Sequence, residues 1–341
     1  MKRTIASSAL ALALVSTPLA AGHTDDALAL VPPDAASVGV VRLADLRTSP
    51  LAAKLFADMD RVTTDGEAAR LLEETRLNPK EDVDLVVAAG SPKGPDGGKG
   101  AGLVIFEGRF DAARLTAAAE ARGAERRSTP NGDYFLLHDK GGRGDGAVAF
   151  VSDHLIVAGT ESYVIQALAT RAAGGSRFAS GSGLGRHLSR IDSGATAWAL
   201  VDMTRFPLRQ REGHGVHVRG TVNSQPVNVD VTQHGDEAPI ALLSAMKSVS
   251  LVSLQATAKG DSLTLAATGL SDDADTRELL EDAVRGVLAA WRIHAQDANP
   301  DMVPVLRKFK VVRDKDGVSI SGTLPGAAIR AIAERKHAQV D

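Results

Sequence analysis

One short pattern occurs twice in this chain, and it constrains the fold more than any other feature of the sequence. Asp153 to Arg171 reads Asp-His-Leu-Ile-Val-Ala-Gly-Thr-Glu-Ser-Tyr-Val-Ile-Gln-Ala-Leu-Ala-Thr-Arg, and its echo runs from Asp316 to Arg335. In both copies an alternating strand (Leu155 and Val157; Val318 and Ile320) runs into Gly-Thr, at Gly159-Thr160 and Gly322-Thr323. Each threonine is placed to cap a helix, with Ile165 and Leu168 as the inner face of one and Ile329 and Ile332 as that of the other. One extra residue near Pro325 separates the two registers.

The rest of the chain falls into order around this echo. After a short polar leader, Ser37 to Leu43 reads as an apolar strand. Ser49 is placed to cap a helix with Pro50 at its first position and Leu51, Leu55, Met59 and Val62 at helical spacing. Asp65 opens a second helix with Ala68, Leu71 and Leu72 inward, and this helix must stop before Pro79. Asp82 to Gly90 is a strand too apolar to be half exposed, Ser91 to Gly100 is a polar hairpin loop, and Ala101 to Phe110 is the return strand. Asp111 caps a helix ending at Gly123, and strands near Arg126, Tyr134 to His138 and Ala147 to Val151 lead back to the first copy of the pattern.

A Gly/Ser-rich connector over 174–194 separates this half, 23–173, from a second, 195–341. In the second half, Ala197 to Arg205 answers the strand at Val40, and Lys247 to Ala258 answers the strand at Asp82. Ser262 to Leu270 answers Ala101 to Phe110, and Asp272 to His294 is the matching helix, amphipathic through Leu280, Val284, Val287 and Trp291. A segment over 206–236 has no counterpart. Its alternating runs Val216/Val218 and Val227/Val229/Val231 flank Asn223-Ser-Gln-Pro226 and read as an inserted hairpin. The expected fold is α+β, an internal duplication of two similar halves about an approximate two-fold axis, each an antiparallel or mixed sheet with helices mainly on one face.

Residues 1–22 have the three-part layout of a secretory signal peptide: Lys2 and Arg3, an apolar run from Ile5 to Val15, then Pro18 and the small residues Ala20, Ala21 and Gly22. The apolar run is about half of the ~20 residues that a membrane span needs, so no membrane span is expected. There is no cysteine, which removes an N-terminal lipid anchor, disulfides and thiolate chemistry. The expected address is the periplasm or the outside of the cell. Without Lys2 and Arg3 the 39 basic residues fall to 37 against 42 acidic, a net charge of −5 with no basic patch, so nucleic acid is not expected as a partner. Aromatic residues make up only 4% of the chain, too few for the stacked rows that bind sugars or bases.

No residue group announces a reaction. His214, His217 and His234 of the inserted hairpin, with Asp230 and Asp236 nearby, are the candidate ligand-binding side chains; their spacing on an extended chain does not make a metal site, and no metal or cofactor is expected. Ser244-Ala-Met-Lys247 has Ser-x-x-Lys spacing, but it spans a helix end and a strand start and lacks its companion motifs. Gly181 to Gly185 lacks the Lys-Ser/Thr ending of a phosphate loop, and Arg143-Gly-Asp145 is explained by a solvated turn.

The run Glu73 to Val87 and the stretch Ala197-Trp-Ala-Leu-Val-Asp202 resemble segments of predicted periplasmic proteins of unknown function from Gram-negative bacteria. The resemblance spans most of the chain past residue 22 and implies the same extracytoplasmic address. The expected function is non-catalytic binding or assembly in the cell envelope, with an envelope protein or a small ligand as partner. The alternative is an extracytoplasmic hydrolase whose site leaves no motif.

Overall fold

The computed structural model describes residues 23–52, 56, 66–92, 100–137, 146–175, 178, 183–206, 216–222, 225–231 and 248–331. Helix α1 is His23–Leu28, β1 Ser37–Arg42, α2 Leu43–Leu46, α3 Gly66–Thr75, α4 Pro79–Asp82, β2 Val83–Ser91 and β3 Ala101–Gly108. Then come α5 Ala112–Ala121, β4 Glu125–Thr129, β5 Gly132–Leu137, β6 Gly146–Ser152, β7 Leu155–Thr160 and α6 Glu161–Ala172. The remainder is β8 Ala197–Asp202, β9 Val216–Val222, β10 Gln225–Val231, β11 Leu251–Ala258, β12 Ser262–Leu270, α7 Ala274–Ala298, α8 Met302–Arg307, β13 Lys310–Arg313 and β14 Gly317–Pro325.

Twelve of these strands form one antiparallel sheet in the order β13-β14-β12-β11-β8-β1-β2-β3-β7-β6-β5-β4. The fold is therefore α+β, and the two expected sheets are one. The reason lies in β1 and β8, which pair antiparallel with Val38 opposite Leu200 and Val40 opposite Trp198, all four in a single buried core. Splitting the sheet here would expose that row and leave two unpaired edges.

On one face, α1 and α6 cover the strands β1, β2, β3 and β7. Their contribution comes from Ala27, Leu28, Leu30 and Val31 in and just after α1, and from Tyr163, Val164, Ala167 and Leu168 of α6. The expected polar leader is in part core, since Leu30 and Val31 are fully buried there. On the opposite face, α2 and α5 meet Val86, Phe106 and Ile156, while α7 and α8 meet Val311, Val318 and Ile320. Helices mainly on one face thus describes the second half; the first is covered on both.

The two Gly-Thr pairs have different surroundings. A Cβ on Gly159 would overlap the Gly102 carbonyl, and Thr160 clips the same backbone, its Oγ1 lying 3.3 Å from both the nitrogen and the oxygen of Gly102. Thr160 precedes α6 but makes no side-chain cap. Gly322 leaves room for the Phe309 ring, and Thr323 stays in the strand, 3.0 Å from the hydroxyl of Thr264. In the second copy the strand runs on to Pro325 before helix resumes at Gly326.

Other expectations meet mixed outcomes. Asp111 caps α5, accepting from the Arg114 N–H at 2.9 Å, and Gly123 follows with φ 77°. Ser49 is followed by a 3-10 turn, Pro50–Ala52. Leu71 is exposed rather than inward, and so is Trp291 of α7, at 58%. Leu55, Met59, Val62, Ile332, Arg143-Gly-Asp145 and Ser244 to Lys247 lie outside the described residues.

Candidate functional site

The two excursions that distinguish the halves leave the sheet side by side. Ser91 ends β2 and opens the polar loop; Arg205 follows β8 and precedes the inserted hairpin. Only β1 lies between those strands, because Ser37 pairs with both Gly90 and Val201. Ala36 closes the gap: its N–H donates to Gly90 O and its carbonyl accepts from Asp202 N–H, both at 2.8 Å.

A polar group occupies this point. Asp202 caps the turn after β8, accepting from Thr204 N–H at 3.0 Å and Thr204 Oγ1 at 2.6 Å, and the turn projects Arg205 back over the strand ends. Arg205 Nη2 donates to Ser91 Oγ at 2.9 Å, and its Nη1 donates to the Asp34 carbonyl. From α6, Gln166 Nε2 donates to Asp34 Oδ1 at 2.9 Å. Tyr163, one turn earlier on α6, is fully buried with its hydroxyl beside Ser91 and Asp34, yet no well-directed hydrogen bond satisfies it. Burial and the neighbouring Asp34 carboxylate push its pKa up to about 12, so the phenol stays protonated near neutrality.

Chemically this group holds rather than reacts. Its one cation is occupied by a carbonyl and a hydroxyl, its tyrosine is moved away from the range useful to an acid or base, and no nucleophile is paired with a base. The closest approach to such a pair is Ser152 Oγ and His154 Nδ1, 3.2 Å apart in the β6–β7 turn. They are two residues apart in a tight turn, and no carboxylate among the described residues is hydrogen-bonded to orient the ring.

Open grooves lie elsewhere, on both sides of the β4–β5 turn. One, about 410 Å³, is lined by Thr116, Arg126, Asp133, Phe135 and Phe150; the other, about 340 Å³, shares Asp133 and Phe150 and adds Leu168 and Arg171. The carboxylate that they share is already matched: Arg126 meets Asp133 at 2.6 Å, and Ser128 donates to it at 2.7 Å. The Ser128 hydroxyl first, and then the Arg126 guanidinium, hold the Asp133 carboxyl below its ordinary range.

Of the three candidate histidines, His214 and His234 lie outside the described residues. His217 is on β9, opposite Asp230 of β10, in a pairing that ends with Val222 opposite Gln225. Gln225 and Pro226, read from the sequence as turn residues, are in β10. Among the described residues no group of three or more His, Asp or Glu side chains could hold a metal ion. Sequence reasoning did not find Asp34, Ser91, Tyr163, Gln166 and Arg205. Their only shared signal is position, since Ser91 and Arg205 each stand at the root of an excursion.

No family model matches the chain, and no curated protein does. In structure it is similar to crystal form III of TP0453, with a TM-score of 0.48 and 11% identity over 90% of this chain and 97% of that one. Crystal form IV of TP0453 gives a TM-score of 0.43 and 10% identity over 90% and 96%.

Proposed function

We propose that this chain is a non-catalytic binding or assembly protein of the cell envelope, exported by the leader at 1–22 and acting in the periplasm or outside the cell. The observation that carries the reading is the Arg205–Ser91 bond, which ties the roots of the two excursions together where β1 meets β8. Excursions rooted on a rigid sheet are where specificity is carried, because scaffold positions are committed to packing. The hairpin bearing His214, His217 and His234 is then the recognition element, and the polar group holds the chain where it leaves β8 towards that hairpin. The resemblance to periplasmic proteins of Gram-negative bacteria supports the same address. The hydrolase alternative finds no activated nucleophile among the described residues to favour it.

We infer also that the two halves descend from one repeated unit. The Gly108 N–H donates to His154 O and the Ser271 N–H to Asp316 O, both at 3.1 Å, at matching corners. Strand β7 lies between β3 and β6, and β14 lies between β12 and β13. An experimental structure whose halves fail to superpose on those two corners would reject common descent.

The binding reading is tested by native mass spectrometry of the protein purified from its own periplasm. A reproducible added mass, or a co-purifying envelope protein, is expected. Turnover of ester, amide or glycoside substrates by a preparation with a clean apo mass would overturn it in favour of the hydrolase.

A further inference from the structure

The turn between β4 and β5 consists of Pro130 and Asn131, with Thr129 opposite Gly132. The proline ring fixes φ at about −65° and Asn131 keeps a negative φ, so the mirror-image turns that match the twist of a two-residue hairpin are closed to this one. Gly132 takes up the mismatch with a φ of 140°, a value that side chains rarely adopt. One hydroxyl fastens the corner: Thr129 Oγ1 accepts from Asn131 N–H at 3.2 Å and donates to Gly132 O at 2.9 Å.

Asn131 is exposed, and among the described residues its backbone N–H is hydrogen-bonded while its side-chain amide is not. The next residue has no Cβ to stand between its own backbone nitrogen and Asn131 Cγ. The chain has five asparagines, and the others are guarded in different ways. Asn78 and Asn299 precede Pro79 and Pro300, whose nitrogens carry no hydrogen to lose. Asn228 lies in β10 opposite Arg219, with the branched side chain of Val229 next to it. Asn223 lies outside the described residues.

We propose that Asn131-Gly132 is a self-modifying site that releases the edge strand β4 as the protein ages. The Gly132 nitrogen, on losing its proton, attacks Asn131 Cγ; a new C–N bond closes an imide ring, and the side-chain nitrogen takes up a proton and leaves as ammonia. Water then adds to one of the two imide carbonyls and the C–N bond at that carbon breaks. Opening at Cγ gives aspartate at position 131. Opening at the main-chain carbonyl gives isoaspartate, in which the backbone runs through the side-chain methylene. Ring closure passes through the deprotonated nitrogen, so it quickens as pH rises, and it needs no enzyme.

A two-residue corner cannot absorb the extra main-chain carbon and still hold Thr129 opposite Gly132, because the register of a hairpin is set by its turn. Among the described residues β4 is the last strand of the sheet and pairs with β5 alone. The ion pairs of Arg126 with Asp133 and of Arg127 with Glu161 lie at the surface and add little to that ladder. Releasing β4 makes β5 the edge, with the buried side chains of Tyr134, Phe135 and Leu136 in it.

The test is peptide mapping and hydrogen–deuterium exchange of the full chain, fresh and after warm incubation at pH 6 and at pH 8. Amide loss at residue 131 should be faster at pH 8, with isoaspartate identified by fragmentation, while Asn78, Asn228 and Asn299 keep their amides. Peptides covering residues 125–129 should exchange as two populations in the aged protein, the fast one matching the isoaspartate fraction. Asn131→Gln, whose longer side chain has to close a larger ring, should keep both its amide and the protection of β4. Freshly prepared Asn131→Asp, which carries the new charge without the extra backbone carbon, should keep that protection too. An Asn131 amide that survives as long as that of Asn228, or an isoaspartate form with β4 protected as in the fresh protein, overturns the proposal. So does loss of β4 protection in fresh Asn131→Asp, since charge alone would then be the cause.

Discussion

Arg205 and Ser91, 114 residues apart, are joined by a hydrogen bond of 2.9 Å that spans the end of β1 and links the bases of the loop after β2 and the hairpin after β8. The guanidinium also holds the Asp34 carbonyl, so one side chain fixes three chain segments. Arg205→Ala should cost roughly 1–3 kcal/mol in urea unfolding, since it leaves a carbonyl and a hydroxyl in a part-buried setting without their donor. Arg205→Lys should recover part of this, because one ammonium cannot reproduce a fork that reaches two acceptors. Equal stability of parent and alanine variant would mean that the bond holds nothing.

Tyr163 gives the opposite expectation at the same place. Its ring is core, but its hydroxyl makes no well-directed bond. Removing the oxygen alone removes a desolvated polar atom, so Tyr163→Phe should leave stability within about 1 kcal/mol of the parent or raise it slightly. Tyr163→Ala should cost about 3–5 kcal/mol through the cavity left between α6 and the sheet. A large loss in the phenylalanine variant would show that the hydroxyl is bonded after all.

Helix α7 separates what the sequence can and cannot say. Its existence and the burial of Leu280 follow from spacing; the sequence places its start at Asp272, and its cap is Asp273, whose carboxylate accepts from Thr276 N–H at 2.7 Å. Trp291 has the right spacing for the same inner face, yet it is exposed, while Leu288, Ala295 and α8 make the contact at that end. Periodicity fixes an average face around the helix; it does not say that α8 draws the buried side towards Leu288 and Ala295 and leaves Trp291 out. Trp291→Ser should therefore change thermal stability by less than about 0.5 kcal/mol, and Leu288→Ala by about 2–5 kcal/mol, in the same calorimetric series.

The polar group at Asp34, Ser91, Tyr163, Gln166 and Arg205 was illegible for a related reason. Its members come from four separate segments, and none forms a local motif. Only the pairing of β1 with both β2 and β8 brings Ser91 and Arg205 together, and long-range register is not written in short spacings. The strands themselves were legible, since alternation is local; their union into one sheet was not.

Glu107 of β3, a carboxyl only 3% exposed, makes a prediction for the whole molecule. Its folded pKa is raised to about 8, so the folded state keeps a proton that the unfolded chain releases near pH 4.5. Its contribution to stability is thus complete below about pH 4.5 and is lost as pH rises to about 8, at about 1.4 kcal/mol per unit of pKa difference. Urea midpoints measured from pH 5 to 8 should fall in the parent and stay level in Glu107→Gln, apart from the common titration of other groups. If the two curves run parallel, the buried carboxyl is not protonated in the fold.

The inserted hairpin supplies the last expectation. Among the described residues, strands β9 and β10 pair only with each other, as a two-stranded sheet distinct from the twelve-stranded one. Deleting residues 212–236 and closing the gap with a short Gly/Ser link should therefore leave the large sheet, its circular dichroism and its melting temperature close to the parent's. Arg205 lies outside the deletion and keeps its bonds to Ser91 and Asp34. What should disappear is the interaction, because His214, His217 and His234 leave with the hairpin. A deletion variant that melts like the parent and still retains the co-purifying partner or ligand would move the recognition surface elsewhere. One that loses both fold and binding would mean that the hairpin belongs to the scaffold, contrary to its separation from the large sheet.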